Sequence, residues 1–168
     1  MAAKSPQPSG NASCSTIHFI QANLNHCREA TLNLIRATNH LNAVLLMQEP
    51  YHYRGSLPLW PKQFCVVHNG TETIAPIAAI IVTPSNIPHY RLSQISAPHC
   101  VAIELCLPNL TCVIASAYLS PSVELKNSLE ALNYLTTCVD SRELVIGVDA
   151  NDHSQLWHHP SNSPRSTN

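Results

Sequence analysis

The chain has 168 residues, close to the size of one domain, and its 45% of hydrophobic residues excludes a wholly disordered protein. Charged residues make up only 11%, and nine Lys and Arg against ten Asp and Glu give a formal net charge of −1. This balance excludes a protein that holds nucleic acid by overall charge alone. The sequence also lacks the run of about eighteen apolar residues that a transmembrane helix requires.

Residues 1–15 are small and polar and include two prolines, which predicts a disordered leader and not a signal peptide. The seven cysteines include no CxxC pair, so we expect reduced thiols buried as small hydrophobic side chains in an intracellular protein. The predicted domain covers residues 16–159, and residues 160–168 form an irregular tail without apolar periodicity.

The first part of the domain has the pattern of a strand, a helix and a second strand. Thr16–Ala22 alternates and is rich in β-branched and aromatic residues, which predicts a strand. An amphipathic helix follows from about Asn25, a candidate N-cap, to Leu41. The continuous apolar run Ala43–Met47 is typical of a strand buried on both faces.

Four more strands are predicted before the next helix, at Phe64–His68, Ile74–Val82, Val101–Leu107 and Cys112–Tyr118. The last two are expected to form an antiparallel hairpin. A turn centred on Asn109 would place Cys106 opposite Cys112 as packed thiols rather than as a disulfide.

A second helix from about Val123 to Val139 and a buried strand at Leu144–Val148 complete the predicted elements. This order fits a two-layer or sandwich α/β fold better than a doubly wound sheet. With four glycines and no GxGxxG or P-loop motif, a glycine-rich phosphate loop is excluded.

Polar residues follow the most apolar predicted strands, at the point where each strand ends. They are Asn23, Asn25, Glu49, Tyr118, Asp149 and Asn151. If the strands are neighbours, these side chains converge into a cluster of two carboxylates, several amides and a phenol. Such an oxygen-rich cluster suits Mg²⁺, which needs only one or two protein carboxylates. The alternative is that these residues are polar only because strand ends leave the core.

Four sequence strings resemble, in order and spacing, the endonuclease/exonuclease/phosphatase family. They are QANLNHC at Gln21–Cys27, LMQEPY at Leu46–Tyr51, SAYLSPS at Ser116–Ser122 and IGVDANDHSQLW at Ile146–Trp157. More closely, they resemble the apurinic-type endonuclease domain at the N-terminus of non-LTR retrotransposon polyproteins. The resemblance implies a four-layer α/β sandwich, incomplete at its C-terminus, and Mg²⁺-dependent cleavage of DNA, with Mn²⁺ as a substitute metal. It also implies DNA as partner and, where the retrotransposon role is retained, a nuclear location.

The resemblance implies a role for each of five residues. Glu49 would be the metal ligand, and Asn23 would lie beside it and help order the metal or phosphate site. Asp149 would orient or deprotonate the attacking water, Asn151 would donate a hydrogen bond to the phosphate, and Tyr118 would contact the phosphate near the leaving group. A metal that polarises the phosphate and positions an in-line water accords with these residue types.

The sequence also departs from the family. Members have a further Asp and a closing Ser-Asp-His, whereas no acidic residue follows Asp152 in this chain. His153, His158 and His159 lie too close to the Asp149 motif to supply the closing His, and their spacing matches no known zinc pattern. We therefore expect a truncated domain with little or no activity.

Two alternatives remain at this point. One is a non-catalytic binding module on the same scaffold, which could associate with itself through an open sheet edge. The other, weaker alternative is a phosphomonoesterase or a phosphoinositide-type phosphatase, against which the NLNH and DAN strings argue. No interaction with a membrane is expected.

Overall fold

A computed structural model describes residues 16–83, 87–97, 99–121, 125–139 and 143–151. This part of the chain forms two helices, α1 (Arg28–Thr38) and α2 (Leu125–Val139). Its eight strands are β1 (His18–Asn23), β2 (Ala43–Gln48), β3 (Cys65–His68), β4 (Ala78–Val82), β5 (His89–Arg91), β6 (Cys100–Leu107), β7 (Leu110–Tyr118) and β8 (Glu143–Asp149).

The strands form two four-stranded sheets. Sheet 1 has the order β1-β2-β4-β3, and sheet 2 has the order β5-β6-β7-β8. In each sheet one outer pair is parallel, β1 with β2 and β7 with β8, and the other neighbours are antiparallel. Each sheet therefore places a parallel pair at one side, and these two pairs carry the candidate site.

The sheets pack face to face, and each carries one helix on its outer face. Side chains from both sheets form the inner core, including Leu46 and Ile80 from sheet 1 and Ile114 from sheet 2. A second cluster packs α1 against sheet 1, and a third packs α2 against sheet 2. The order helix, sheet, sheet, helix confirms the predicted four-layer α/β sandwich.

Strand β2 shows why the continuous apolar run predicts a buried strand. All six of its residues are buried. Val44 and Leu46 face the inner core, whereas Leu45 and Met47 face the cluster that includes α1. Because successive side chains in a strand point to opposite faces, a strand in the middle of this sandwich needs apolar residues at every position.

Two predicted boundaries are wrong, each for a local reason. Helix α1 begins at Arg28 with Cys27 as its N-cap, because Asn25 has a positive φ of 45° that a helix cannot contain. Strand β4 begins at Ala78 and not at Ile74, because hydrogen bonds between Ile74 and Thr71 close a turn there.

The hairpin register and one strand also differ from the prediction. The turn occupies two residues, 108 and 109, so Leu107 pairs with Leu110 and Cys112 faces Leu105 instead of Cys106. Both cysteines are free thiols. The short strand β5 was not predicted, because its three residues form a half-exposed edge without apolar alternation.

The expectation that the thiols are buried is correct for only part of the set. Cys100 and Cys112 are buried, and Cys106 and Cys138 are partly buried. Cys27 and Cys65 are exposed. Within the described residues, no helix is both long enough and apolar enough to cross a membrane.

Candidate active site at the ends of the parallel strands

The candidate site lies where the carboxyl ends of two parallel strand pairs meet. Asn23 is the last residue of β1, and Glu49 directly follows β2 in the same sheet. Tyr118 and Asp149 are the last residues of β7 and β8 in the other sheet, and they are register partners. Because the strands of a parallel pair end at the same edge of their sheet, the fold brings residues distant in sequence to one place.

A chain of hydrogen bonds joins the two sheets through Asp149. The Asn23 side-chain amide donates to Asp149 Oδ2 at 2.5 Å. The backbone N–H of Asn151 donates to Asp149 Oδ1 at 3.0 Å, and the Asn151 amide donates to the Leu119 carbonyl at 3.3 Å. Each carboxylate oxygen thus has one fixed donor, which holds the carboxylate in a single orientation.

Tyr118 connects the second carboxylate to this chain. Its side chain is hydrogen-bonded to both Glu49 and Asn151. Burial raises the pKa of the Tyr118 phenol, as do the hydrogen bond and charge of Glu49 and the charge of Asp149, while the hydrogen bond to Asn151 acts in the opposite direction. The phenol therefore keeps its proton at neutral pH and remains a hydrogen-bond donor.

Four of the five non-glycine residues with positive φ in the described chain lie at this edge. They are Asn25, His26, Glu49 and Asn151, with φ of 45°, 52°, 46° and 47°. The left-handed conformation costs on the order of 1–3 kcal/mol for such residues, and this kind of strain is concentrated at functional sites. Its clustering here is independent support for a functional edge.

A buried polar network behind the site braces the strand ends. Gln48 is fully buried, and its amide donates to Ser116 Oγ at 3.0 Å and to the Gly147 carbonyl at 3.2 Å. Ser116 Oγ in turn donates to the Met47 carbonyl at 2.9 Å. The Gln21 amide donates to the Val148 carbonyl at 2.9 Å. The network fixes the distance between β2 and the parallel pair of sheet 2.

Sequence reasoning missed these supporting residues. The available signal was a polar residue inside an apolar strand, Ser116 in β7, together with Gln48 directly before the candidate ligand Glu49. Gly147 was missed for a different reason. A Cβ there would lie 2.9 Å from the Leu46 side chain, so only glycine permits β8 to approach β2 so closely.

His26 is a further neighbour of Glu49 that was not singled out. Its Nε2 atom lies 3.9 Å from Glu49 Oε1, and its Nδ1 atom lies 3.2 Å from the Pro50 carbonyl. Its ring meets the ring of His52 edge to face, with centroids 5.6 Å apart. The buried Nδ1 atom of His52 has no hydrogen-bond partner. The Glu49 carboxylate therefore has aromatic groups on two sides, Tyr118 and His26.

The donor set fits a hard divalent cation. It consists of oxygen atoms from Glu49, Asp149 and the Asn23 amide, and Mg²⁺ is bound in proteins by one or two carboxylates together with water. The part of the chain that the structure describes contains no group of three or more His, Cys, Asp or Glu residues able to hold a metal. His153, His158 and His159 lie outside the described residues.

The structure therefore brings together all five residues singled out from the sequence, namely Asn23, Glu49, Tyr118, Asp149 and Asn151. The roles given to them remain predictions. Asn25 is not the helix cap that was predicted. Its backbone N–H instead donates to the Asn23 side-chain oxygen at 2.7 Å. This turn holds the Asn23 amide against Asp149.

Comparisons with known proteins agree with this architecture. The sequence model of a family described as endonuclease-reverse transcriptase matches residues 112–168. The fold is similar to that of the endonuclease domain of TRAS1, a telomere-specific non-LTR retrotransposon, with a TM-score of 0.71 and 23% sequence identity. The similarity covers 89% of this chain but only 65% of that one, so this chain spans less than two thirds of the domain it matches. A comparison with curated proteins finds no match.

These findings confirm the resemblance to the endonuclease domains of non-LTR retrotransposons that the four sequence strings indicated. They confirm the fold class as well. The match to the family model includes Tyr118, Asp149 and Asn151, which are the site residues of sheet 2.

Proposed function

We propose that the chain forms the metal-binding part of a DNA endonuclease that cleaves a phosphodiester bond with the help of Mg²⁺ or Mn²⁺. The observation that carries this proposal is the hydrogen-bonded chain from Asn23 through Asp149 to Asn151, with Glu49 joined to it through Tyr118. These hydrogen-bonded side chains bring two carboxylates, two amides and a phenol together at one edge of the sandwich. In phosphodiester hydrolysis, groups of these types can position the cation, the attacking water and the phosphate.

Glu49 and Asn23 would hold the cation. Glu49 is partly exposed, and its left-handed backbone turns the residue out of the line of β2. Asn23 Oδ1 accepts one backbone hydrogen bond and keeps a second lone pair. A bound divalent cation would polarise the phosphoryl oxygens and neutralise charge that develops on them.

The residues of sheet 2 would act on water and phosphate. Asp149, held by two donors, is the group that orients or deprotonates the attacking water. Asn151 and Tyr118 would exchange their present contacts, to the Leu119 carbonyl and to Glu49, for phosphate oxygens. Tyr118 keeps its proton, so it can donate to the phosphate near the leaving oxygen. These steps require no covalent intermediate.

The 168-residue chain by itself is expected to cleave DNA weakly or not at all. In the family that it resembles, a later Asp and a closing Ser-Asp-His complete the catalytic site, and no acidic residue follows Asp152 here. The sequence therefore has groups for the metal and water but not the full set of the family.

A nicking assay on supercoiled plasmid with Mg²⁺ tests both parts of the proposal. The chain should relax plasmid no faster than its Glu49→Ala and Asp149→Ala variants. Rapid nicking that both substitutions abolish would contradict the expected weak activity and support the nuclease assignment. A chain continued to the full length of the matched endonuclease domain should nick DNA. If this longer chain does not nick DNA, the nuclease assignment is wrong. Release of phosphate from a monoester by either chain would favour the phosphatase alternative instead.

One observation favours a second candidate function, a binding module that works through its sheet edges. In the described chain, β1 and β8 each pair with a strand on one side only. Phe19 on β1 is 42% exposed and Val145 on β8 is 36% exposed, although their register partners Val44 and Ile114 lie in the inner core. This inner face is apolar and incompletely covered at the β1 and β8 edges, which suits pairing with a second copy.

A further inference from the structure

A cysteine and a histidine lie against each other at the side of the sandwich away from the candidate active site. Cys65 is in β3, the outer strand of sheet 1, and His89 is in β5, the outer strand of sheet 2. The Cys65 sulfur lies 3.0 Å from His89 Nε2. The pair thus joins the edges of both sheets, whereas the candidate site joins their opposite edges.

The second nitrogen of the His89 ring determines what Nε2 can do. His89 Nδ1 lies 3.1 Å from the Ile87 carbonyl oxygen. A carbonyl oxygen can only accept a hydrogen bond, so Nδ1 must carry the proton of the neutral ring. Nε2 then presents its lone pair to the thiol of Cys65. A nucleophile, a base and a group that orients the base are therefore in line.

The surroundings of Cys65 make this base necessary. Burial raises the pKa of the Cys65 thiol, which therefore stays protonated at neutral pH. Since the thiolate is the reactive form, Cys65 without a base would react more slowly than an ordinary exposed thiol. Its side chain is nevertheless exposed, so a small reagent can reach the sulfur.

We propose that Cys65 and His89 form a nucleophilic pair, and that Cys65 is a covalent modification site for small, soft electrophiles. The proposal is independent of the proposed nuclease function, because it involves other strands and no metal. With an alkyl halide, the thiol proton moves to His89 Nε2 as the sulfur forms a bond to carbon. The carbon–halogen bond breaks, the halide leaves with the bonding electron pair, and the imidazolium then releases its proton to water.

The chain contains a second exposed thiol that serves as an internal reference, Cys27 at the N-terminus of α1. Cys27 is also exposed, but its sulfur lies 3.8 Å from the Glu29 carboxylate and not beside a base of the imidazole type. Comparing Cys65 with Cys27 in one sample removes differences in reagent, pH and protein concentration.

The test is limited alkylation of the folded chain by iodoacetamide at pH 7, read by mass spectrometry of the peptide that carries each cysteine. Cys65 should react roughly ten times faster than Cys27 or more, since general-base assistance contributes about 10²-fold or more when fully expressed. In the His89→Gln variant, Cys65 should become slower than Cys27, while the rate at Cys27 stays unchanged. His18→Gln, on the distant strand β1, should change neither rate.

The protection of buried Cys112 from alkylation in the same samples shows that the His89→Gln variant remains folded. Equal rates at Cys65 and Cys27 in the unsubstituted chain would overturn the proposal without any variant. A Cys65 rate that His89→Gln leaves unchanged would overturn it as well.

Discussion

Glu49 shows most clearly how single residues are adapted to the site. Its φ of 46° is unusual for a residue other than glycine, and two backbone hydrogen bonds hold Glu49 in this conformation. The Glu49 N–H donates to the Ile77 carbonyl at 2.8 Å, and the Glu49 carbonyl accepts from the His26 N–H at 2.8 Å. These two bonds end β2 abruptly and place the carboxylate at the edge of the sheet.

At this position, stability and metal binding should respond in opposite directions. The Glu49→Gly variant removes the strain of the left-handed conformation and should raise the free energy of unfolding by about 1 kcal/mol. It also removes the proposed metal ligand. Urea denaturation in the absence of metal measures the effect on stability.

The matched control is Glu72→Gly, at an exposed position without positive φ. There the added freedom of the unfolded chain should leave the protein unchanged or slightly less stable. Equal destabilisation by both substitutions would show that the Glu49 backbone is not strained.

At the scale of the elements, the position of the site depends on the packing of β2 against β7 and β8. Gln48, Ser116 and the Gly147 carbonyl form a buried polar network that links three strands from both sheets. Buried polar groups contribute only when each has a partner, because an unpaired group loses its hydration without compensation. The network therefore makes one relative arrangement of the strands favourable.

Ser116→Ala should lower the free energy of unfolding by about 1–3 kcal/mol, because it removes one acceptor of the buried Gln48 amide and one donor to the Met47 carbonyl. Urea denaturation monitored by circular dichroism gives the value. Ser93→Ala, at an exposed position, serves as the control and should change stability by less than about 0.5 kcal/mol. Similar values for the two variants would indicate that the network does not stabilise the fold.

Gly147→Ala tests the close approach of β8 to β2. The added methyl would lie 2.9 Å from the Leu46 Cβ atom, so one strand must move. We expect a loss of about 1–3 kcal/mol in the free energy of unfolding, as for other overpacked cores. Gly70 is unsuitable as a control, because a Cβ there is also blocked, at 2.6 Å from Pro76. An unchanged midpoint in urea would show that the sheets can separate at no cost.

Whether an element could be predicted from the sequence depends on how many of its faces are buried. Strand β2 could be predicted because both of its faces are buried, so its composition alone identifies it. Strand β5 could not, because two of its three residues are exposed and nothing in its composition distinguishes it from a loop. The hairpin register depended on a turn that begins at Pro108, and a difference of one residue there exchanges the partners of both strands.

The polar residues of the candidate site could be predicted from the sequence, whereas the residues and backbone conformations that hold them in place could not. Polar residues at the ends of apolar strands are visible in the sequence, and Asn23 and Asp149 do meet across the two sheets. The burial of Gln48 and the positive φ of Glu49 depend on strands that approach from the other parts of the chain. Local sequence carries no signal for such long-range partners.

At the scale of the whole molecule, the two edges of the sandwich differ. At one edge the Cys65–His89 pair joins β3 to β5. At the other, the inner face next to β1 and β8 stays partly open, with Phe19 and Val145 exposed. An uncovered apolar edge favours pairing with another strand.

The open edge predicts that the chain associates with itself as its concentration rises. Sedimentation equilibrium should show a dimer, and Phe19→Lys should shift the equilibrium to the monomer by placing a charge at the edge. Tyr53→Lys is the control, because Tyr53 is more exposed, at 60%, but lies outside the named strands. A monomer at all concentrations, or equal effects of the two substitutions, would contradict a binding role for the β1 and β8 edges.

The most direct test of the central claim is a titration of the folded chain with Mn²⁺, in which the relaxation rate of water protons measures how much metal is bound. This readout does not depend on DNA cleavage. We predict a single Mn²⁺ site that Glu49→Gln weakens by about tenfold or more. Glu29→Gln, which removes an exposed carboxylate on α1, should leave the affinity unchanged. Absence of a Mn²⁺ site, or equal affinity in the Glu49→Gln and Glu29→Gln variants, would contradict the assignment of this edge as a metal-dependent catalytic site.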